Sequence, residues 1–114
     1  MRIPKRINIL GHPITVYHSW EPIELDEDES ALGCAHLLTN QIGICHKVED
    51  AYVSESMTTE AFLHEIFHHV SSKLGMGLEE IQIAGMSCGL LHVLRDNKLN
   101  FLNTDNDMPK KKGK

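Results

Sequence analysis

The stretch from Thr58 to Ser72, TTEAFLHEIFHHVSS, places three histidines and two glutamates in a run of residues that otherwise favours a helix. At about 100° per residue, His64 and His68 lie one turn apart and project from the same side of that helix. A second, apolar stripe follows the spacing i, i+4, i+7 and i+11 and consists of Leu63, Phe67, Val70 and Leu74. The pattern predicts a helix that buries one side and presents two imidazoles to a cleft.

Glu65 lies between the two histidines in sequence and completes the pattern H-E-x-x-H, here HEIFH, which is typical of zinc hydrolases. With 8 histidines in 114 residues, only about 0.05 such matches are expected by chance. Two core histidines satisfied by hydrogen bonds are the simpler alternative, but they would not explain the carboxylate between them. The third histidine, His69, falls on another side of the helix, and we interpret it as structural or exposed.

Two histidines do not complete a catalytic zinc site, which normally has three protein ligands and an open position for water. A metzincin would continue as H-E-x-x-H-x-x-G-x-x-H. Ser71 and Leu74 occupy the positions of that glycine and final histidine, so this class is excluded.

The third ligand is expected on the next helix, where four residues are chemically suitable: Glu79, Glu80, Cys88 and His92. In a simple antiparallel hairpin centred near Met76, Cys88 would lie level with His64. Glu80 would then lie about one turn (~6 Å) from His68. Spacing alone leaves the choice open.

Short runs rich in β-branched residues precede this helix. KRINIL and ITVYH, joined by GHP, predict a hairpin in which Gly11 supplies a positive φ, and GCAHLL and IGICH predict two further strands. The acidic stretch from Glu21 to Glu29 predicts a solvated loop or a short helix. We therefore expect an α+β fold, with a small antiparallel sheet of about four strands followed by two long helices and the H-E-x-x-H motif on the first.

The helix ends are marked by capping residues. The first helix is expected to begin near Thr58, whose hydroxyl can cap it, and to end at Gly75 in a left-handed conformation. The second is expected over residues 78–97, where Gly85 and Gly89 would permit close packing. Its buried side is expected to consist of Ile83, Met86, Leu90, Leu91 and Leu94. Residues 1–98 are predicted to form one domain, and the tail 99–114, which ends KKKGK, is predicted to be disordered.

Composition argues against several other functions. A net charge of −5 and the absence of a basic folded face argue against a specific nucleic-acid site, although the lysine tail can contact phosphates. No apolar run approaches the ~20 residues that span a bilayer, so we expect a cytoplasmic protein. The three cysteines show no C-x-x-C spacing, so neither a disulfide framework nor a zinc ribbon is indicated.

The segment FLHEIFHHVSSKLGMGLEEIQIAGMSCGLLHVLRDN resembles the C-terminal half of small phage-type zincin-like proteins, which are distantly related to the ImmA/IrrE metallopeptidases. The similarity covers roughly residues 6–97 and implies a short antiparallel sheet packed on the H-E-x-x-H helix. In such proteins the two motif histidines and a glutamate on the following helix bind zinc. The resemblance thus implies zinc ligation by His64, His68 and Glu80, with Glu65 as the catalytic base. For a phage-encoded protein, the expected compartment is the host cytoplasm.

The expected activity is zinc-dependent hydrolysis of a peptide bond, with Glu65 as general base. The expected substrate is a protein or peptide, which could add as an extended strand to a sheet edge such as GCAHLL. The alternative is a non-catalytic zincin-like protein that binds zinc or a partner. Both hypotheses use the same residues, and a turnover measurement separates them.

Overall fold

The computed structural model describes residues 3–25 and 30–99 and has the expected α+β composition. Its strands, in chain order, are β1 (Arg6–Ile9), β2 (His12–Ser19), β3 (Ile23–Glu24), β4 (Ser30–Ala31), β5 (Gly33–His36), β6 (Gln41–Cys45), β7 (Lys47–Val48) and β8 (Ala51–Tyr52). Two helices follow, α1 (Glu55–Leu74) and α2 (Glu80–Asp96). The tail predicted to be disordered lies outside the described residues except for Leu99.

Four strands form the main sheet in the order β1-β2-β6-β5, and β3 with β4 and β7 with β8 form two small ladders. The sheet is mixed, so the prediction of an antiparallel sheet is wrong, because β2 and β6 pair in parallel. β5 forms a hairpin with β6 and occupies the edge. β6 is therefore inserted between β2 and β5, where it runs in the same direction as β2.

Local turn chemistry agrees with the predicted β1–β2 hairpin. Gly11 has a φ of 82°, and Leu10 before it also has a positive φ of 51°. In a two-residue hairpin loop, positive φ at both central residues gives the turn a twist that matches the twist of the flanking strands. The acidic segment contains β3, which the sequence pattern does not predict, and residues 26–29 of that segment lie outside the described part of the chain.

The core lies between α1 and one face of the main sheet. Its centre contains Ile14, Ile42, Ile44 and Phe62, all fully buried. The apolar stripe predicted for α1 is partly wrong, because Phe62 faces the sheet and Leu74 is 59% exposed. The helix packs against two surfaces, since Leu63 belongs to a second cluster with residues of α2.

His69 was predicted to be structural or exposed, and it is fully buried, which agrees with the first alternative and not with the second. Its Nε2 lies 3.0 Å from the carbonyl oxygen of Gln41, the first residue of β6. One turn further along α1, Lys73 Nζ donates to Asn40 Oδ1 at 2.8 Å. These two contacts attach the C-terminal half of α1 to the end of the β5–β6 turn.

The first helix begins about one turn earlier than predicted. Ser54, and not Thr58, is the N-cap, and its hydroxyl accepts a hydrogen bond from the Met57 N–H. The predicted C-terminal cap is confirmed, because Gly75 has a φ of 64° and its N–H bonds to the last carbonyls of the helix.

The predicted buried side of the second helix is confirmed at Ile83, Leu91 and Leu94. Its buried residues are Ile83, Ser87, Leu91 and Leu94, whereas Met86 is 41% exposed. Gly85 and Gly89 are exposed, and apart from adjacent residues and the backbone of α2 itself no described atom lies within 4 Å of the place that a Cβ would take at either. These glycines therefore do not serve the close helix packing that was expected of them. Neither α1 nor α2, the two helices of the described residues, has the length and apolar character to cross a bilayer.

Candidate functional site

A cleft of about 590 Å³ opens between α1, the edge strand β5 and the first residue of α2. The α1 side chains that line it recur at helical spacing, which follows from the 3.6-residue period. Its lining is Leu25, Ala31, Leu32, Gly33, Cys34, Ala35, Leu37, Met57, Glu60, Ala61, His64, Glu65, His68 and Glu80. The cleft thus combines an apolar wall with the residues of the sequence motif.

Three of the lining residues converge on one point. Glu80 Oε1 lies 2.5 Å from His64 Nε2 and 3.1 Å from His68 Nε2, and the two imidazole centroids are 4.9 Å apart. Burial alone would raise the pKa of Glu80, but the hydrogen bonds from the two histidines outweigh it and lower that pKa. His64, His68 and Glu80 form a group that could hold a metal ion.

The connection between the helices explains how Glu80 reaches both histidines. Gly75 and Gly77 take left-handed backbone conformations, with φ of 64° and 67°, and fold the chain back. The Leu78 N–H then donates to Ser71 Oγ at 3.0 Å, which places residue 78 beside residue 71. Continued along both helices, this pairing brings Glu80 level with His69, directly beside His68. In a hairpin centred on Met76, Glu80 would instead lie about one turn from His68.

The two separations that involve Glu80 can be compared with those of a tetrahedral metal site. With metal–ligand bonds of about 2.0–2.1 Å, neighbouring ligand atoms in such a site are about 3.3 Å apart. The separation of 3.1 Å between His68 and Glu80 nearly meets this requirement, and the 2.5 Å separation between His64 and Glu80 needs to open by about 0.8 Å. The Glu80 side chain is 66% exposed, so it has room for this adjustment.

The other three candidates for the third ligand do not join this group. Glu79 is the N-cap of α2, and its backbone N–H donates to Gln82 Oε1 at 2.8 Å. His92 is exposed, and neither it nor Cys88 lines the cleft. Of the predicted alternatives, the geometry brings together only Glu80 with the two histidines.

Glu65 lies beside the cluster and is only 7% exposed. Its carboxylate makes no hydrogen bond or ion pair with any other described residue. Burial raises the pKa of this carboxyl to about 8, and the nearby charge of Glu80 adds to the effect. A buried carboxyl group without a partner is costly, which marks Glu65 as a candidate functional group.

The carboxylate of Glu65 is accommodated by a glycine in the edge strand. A Cβ added at Gly33 would lie 2.9 Å from Glu65 Oε2 and 3.3 Å from the Cβ of Ala61. Glycine at this position therefore lets the side chain of Glu65 lie directly against the backbone of β5. The sequence motif predicted Glu65, but its packing partner Gly33 is 32 positions away and has no local signal.

Strand β5 has one edge with which no described strand pairs. The Cys45 N–H donates to the Leu32 carbonyl at 2.8 Å, and the antiparallel register is unbroken along β5. Bonded and non-bonded pairs alternate in such a ladder, so the backbone groups of Gly33 and Ala35 point away from β6. These are the groups to which an additional strand would pair.

Comparisons with protein-family models, with curated proteins and with solved structures gave no significant match.

Proposed function

We propose that this protein is a zinc-dependent peptidase in which His64, His68 and Glu80 hold the metal and Glu65 is the general base. The observation that carries the proposal is the position of Glu65. It is a buried carboxyl without a partner among the described residues, next to a His-His-Glu group and inside a cleft large enough for a peptide segment. A purely structural glutamate at this position would be expected to have a hydrogen-bond donor.

Zinc suits this donor set and is the metal that the proposed hydrolysis requires. Two imidazole nitrogens and one carboxylate oxygen are the ligands of one common class of catalytic zinc site, with the fourth position open. When bound, zinc supplies a Lewis acid for the scissile carbonyl and lowers the pKa of water to about 7. A site for Mg²⁺ or Ca²⁺ would be expected to contain more oxygen ligands.

Glu65 would accept a proton from the attacking water while the oxygen of that water forms a bond to the scissile carbonyl carbon. When the C–N bond breaks, the same carboxyl would give the proton to the leaving amine. One water is consumed, and no other reactant is required. The backbone of Gly33 sets the position of the carboxylate for both transfers, since it closes one side of the Glu65 pocket.

The substrate is proposed to bind as an extended segment along β5. The outward backbone groups of Gly33 and Ala35 would pair with it, and its scissile bond would then lie beside Glu65 and the histidines. Apolar side chains from Leu32, Leu37 and Met57 line the same cleft and would pack against substrate side chains.

The test compares the wild-type protein with Glu65→Gln and with Glu49→Gln, all loaded with zinc. The Gln side chain has nearly the same shape as Glu, and Glu49 lies in the β7–β8 turn outside the cleft. Cleavage of denatured proteins and of peptide libraries is followed by mass spectrometry. We expect Glu65→Gln to keep its zinc and lose about 10²–10⁴-fold in rate, whereas Glu49→Gln should cleave like wild type.

Cleavage that survives Glu65→Gln would contradict the role of Glu65 as general base. If the wild-type protein holds zinc and cleaves none of these substrates, the non-catalytic alternative takes the place of the peptidase. The two outcomes are distinct, because the first concerns the mechanism and the second concerns the activity.

A further inference from the structure

Glu60 lines the cleft but, like Glu65, does not belong to the group of His64, His68 and Glu80 that could hold a metal ion. It is half-buried and lies on α1 one turn before His64, on the same side of the helix. It makes no hydrogen bond or ion pair with another described residue. Its helical neighbours at three and four positions are Ser56, Met57, Leu63 and His64, so the helix supplies no lysine or arginine to balance its charge.

The described lining of the cleft contains carboxyl groups but no permanent cation. Its ionisable lining consists of Glu60, Glu65, Glu80 and the two histidines of the cluster together with the Cys34 thiol, and no lysine or arginine is among the described residues that line it. A divalent ion at the cluster would neutralise charge beside Glu80, but Glu60 lies outside the ligand group. A ligand in this cleft therefore meets a carboxylate that has no cationic partner among the described residues.

Glu65 gives an independent indication that this cleft accepts a ligand. More than nine-tenths of its surface is buried, and it lines the cleft without a donor from the described residues. The described residues leave this carboxyl unpaired, so a molecule inside the cleft, whether water or a ligand, provides the donor that a buried carboxyl requires. The cleft therefore contains a polar group that a bound ligand can satisfy.

The surroundings of Glu60 suit a long side chain with a cationic end. Leu25, Leu32 and Met57 line the same cleft and offer an apolar surface for a methylene stem. Lysine and arginine side chains pack their stems on apolar surface and extend their charge toward a polar group. An acidic side chain would be repelled.

We infer that Glu60 selects a lysine or arginine side chain of the peptide substrate. This inference rests on the proposed function, because it places the peptide in the candidate active site. Glu60 is about 6 Å from His64 along the helix axis. An extended peptide advances about 3.3 Å per residue, so the selected side chain would lie about two residues from the scissile bond.

The test uses the zinc-loaded protein and a library of labelled peptides in which each lysine-containing peptide has a norleucine counterpart and a glutamate counterpart. Norleucine keeps the stem and removes the charge, and glutamate reverses the charge. Binding is measured by fluorescence anisotropy and cleavage by mass spectrometry, for wild type, Glu60→Gln, Glu60→Lys and the control Glu49→Gln. Zinc content and far-UV circular dichroism are recorded for each protein to confirm that the site and the fold are kept.

We expect wild type and Glu49→Gln to bind lysine peptides about tenfold more tightly than their counterparts. Glu60→Gln should lose this preference, and Glu60→Lys should prefer peptides with glutamate at the same position. Equal binding of lysine and norleucine peptides by wild type, or a preference for lysine that persists in Glu60→Gln, would overturn the inference. Selective binding without cleavage would support the role of Glu60 and contradict the proposed hydrolysis.

Discussion

The Oε2 atom of Glu65 occupies the space that a Cβ at Gly33 would need, with only 2.9 Å between them. The edge strand and the candidate catalytic base are therefore in direct contact. Any side chain at residue 33 has to displace the carboxylate, which is the movable partner, or push apart β5 and α1. This contact makes the position of Glu65 testable without changing Glu65 itself.

We expect Gly33→Ala to reduce cleavage by up to about 10²-fold while zinc content stays near the wild-type value. The added methyl group displaces the Glu65 carboxylate, and none of the three atoms nearest to it belongs to a proposed metal ligand. Rate and zinc content are measured on the same preparation. Unchanged cleavage would show that the carboxylate does not act from its place beside Gly33.

Gly85→Ala is a matched glycine substitution on the open side of α2, and we expect it to stabilise the protein. Apart from adjacent residues and the backbone of α2 itself, no described atom lies within 4 Å of the added Cβ. Alanine is favoured over glycine inside a helix by about 0.5–1 kcal/mol. Urea denaturation followed by circular dichroism measures the free energy of unfolding, and a loss of stability would indicate that this side of α2 is packed against something.

The pair His18 and His46 should make stability depend on pH. His18 Nδ1 and His46 Nε2 share a hydrogen bond of 2.6 Å. Burial lowers the pKa of both, and the charges of His46 and Lys5 lower the pKa of His18 further. The unfolded chain, with histidine pKa values of about 6.5, then binds these protons more tightly than the folded protein. The stabilising contribution of the neutral pair is complete above about pH 6.5 and is lost as the pH falls below that value.

The measurement is the free energy of unfolding in urea at about pH 7.5 and about pH 5.5, in the presence of a chelator. The wild-type protein is compared with the double variant His18→Gln, His46→Gln. The two proteins have all their other ionisable groups in common, so the difference between the two pH dependences belongs to the pair. We expect a smaller loss of stability in the double variant. An equal loss in both proteins would show that folding does not lower the pKa of either histidine.

Features determined by a few neighbouring residues are predictable from the sequence. Gly11 and Gly75 have the positive φ values that their turn and cap require, and the helix that carries His64 and His68 is present. The start of α1 differs from its prediction by about one turn because Ser54 and Thr58 are both good caps. Which of the two residues caps the helix depends on where the chain leaves β8, and this is determined by tertiary contacts.

Features that depend on tertiary contacts are not predictable in this way. The parallel pairing of β2 with β6 follows from strand order, about which hydrophobic periodicity carries no information. Glu80 is indicated as the third ligand by resemblance, whereas spacing alone leaves Cys88 open. The hydrogen bond from the Leu78 N–H to Ser71 Oγ fixes how the two helices are aligned and therefore places Glu80 beside the two histidines. Glu60 could have been identified from the sequence as a residue of the cleft, because it lies four residues before His64 and thus on the same side of the helix.

The zinc content of purified protein after exhaustive dialysis tests most directly whether His64, His68 and Glu80 together hold one zinc ion. Mass spectrometry of the metal is carried out on wild type, on His64→Ala and Glu80→Ala, and on His92→Ala as a control for the loss of a histidine outside the group. We expect about one zinc per chain in wild type and His92→Ala, and a large loss in the other two variants. Absence of zinc from the wild-type protein, or equal zinc in His64→Ala, would contradict the proposed metal site.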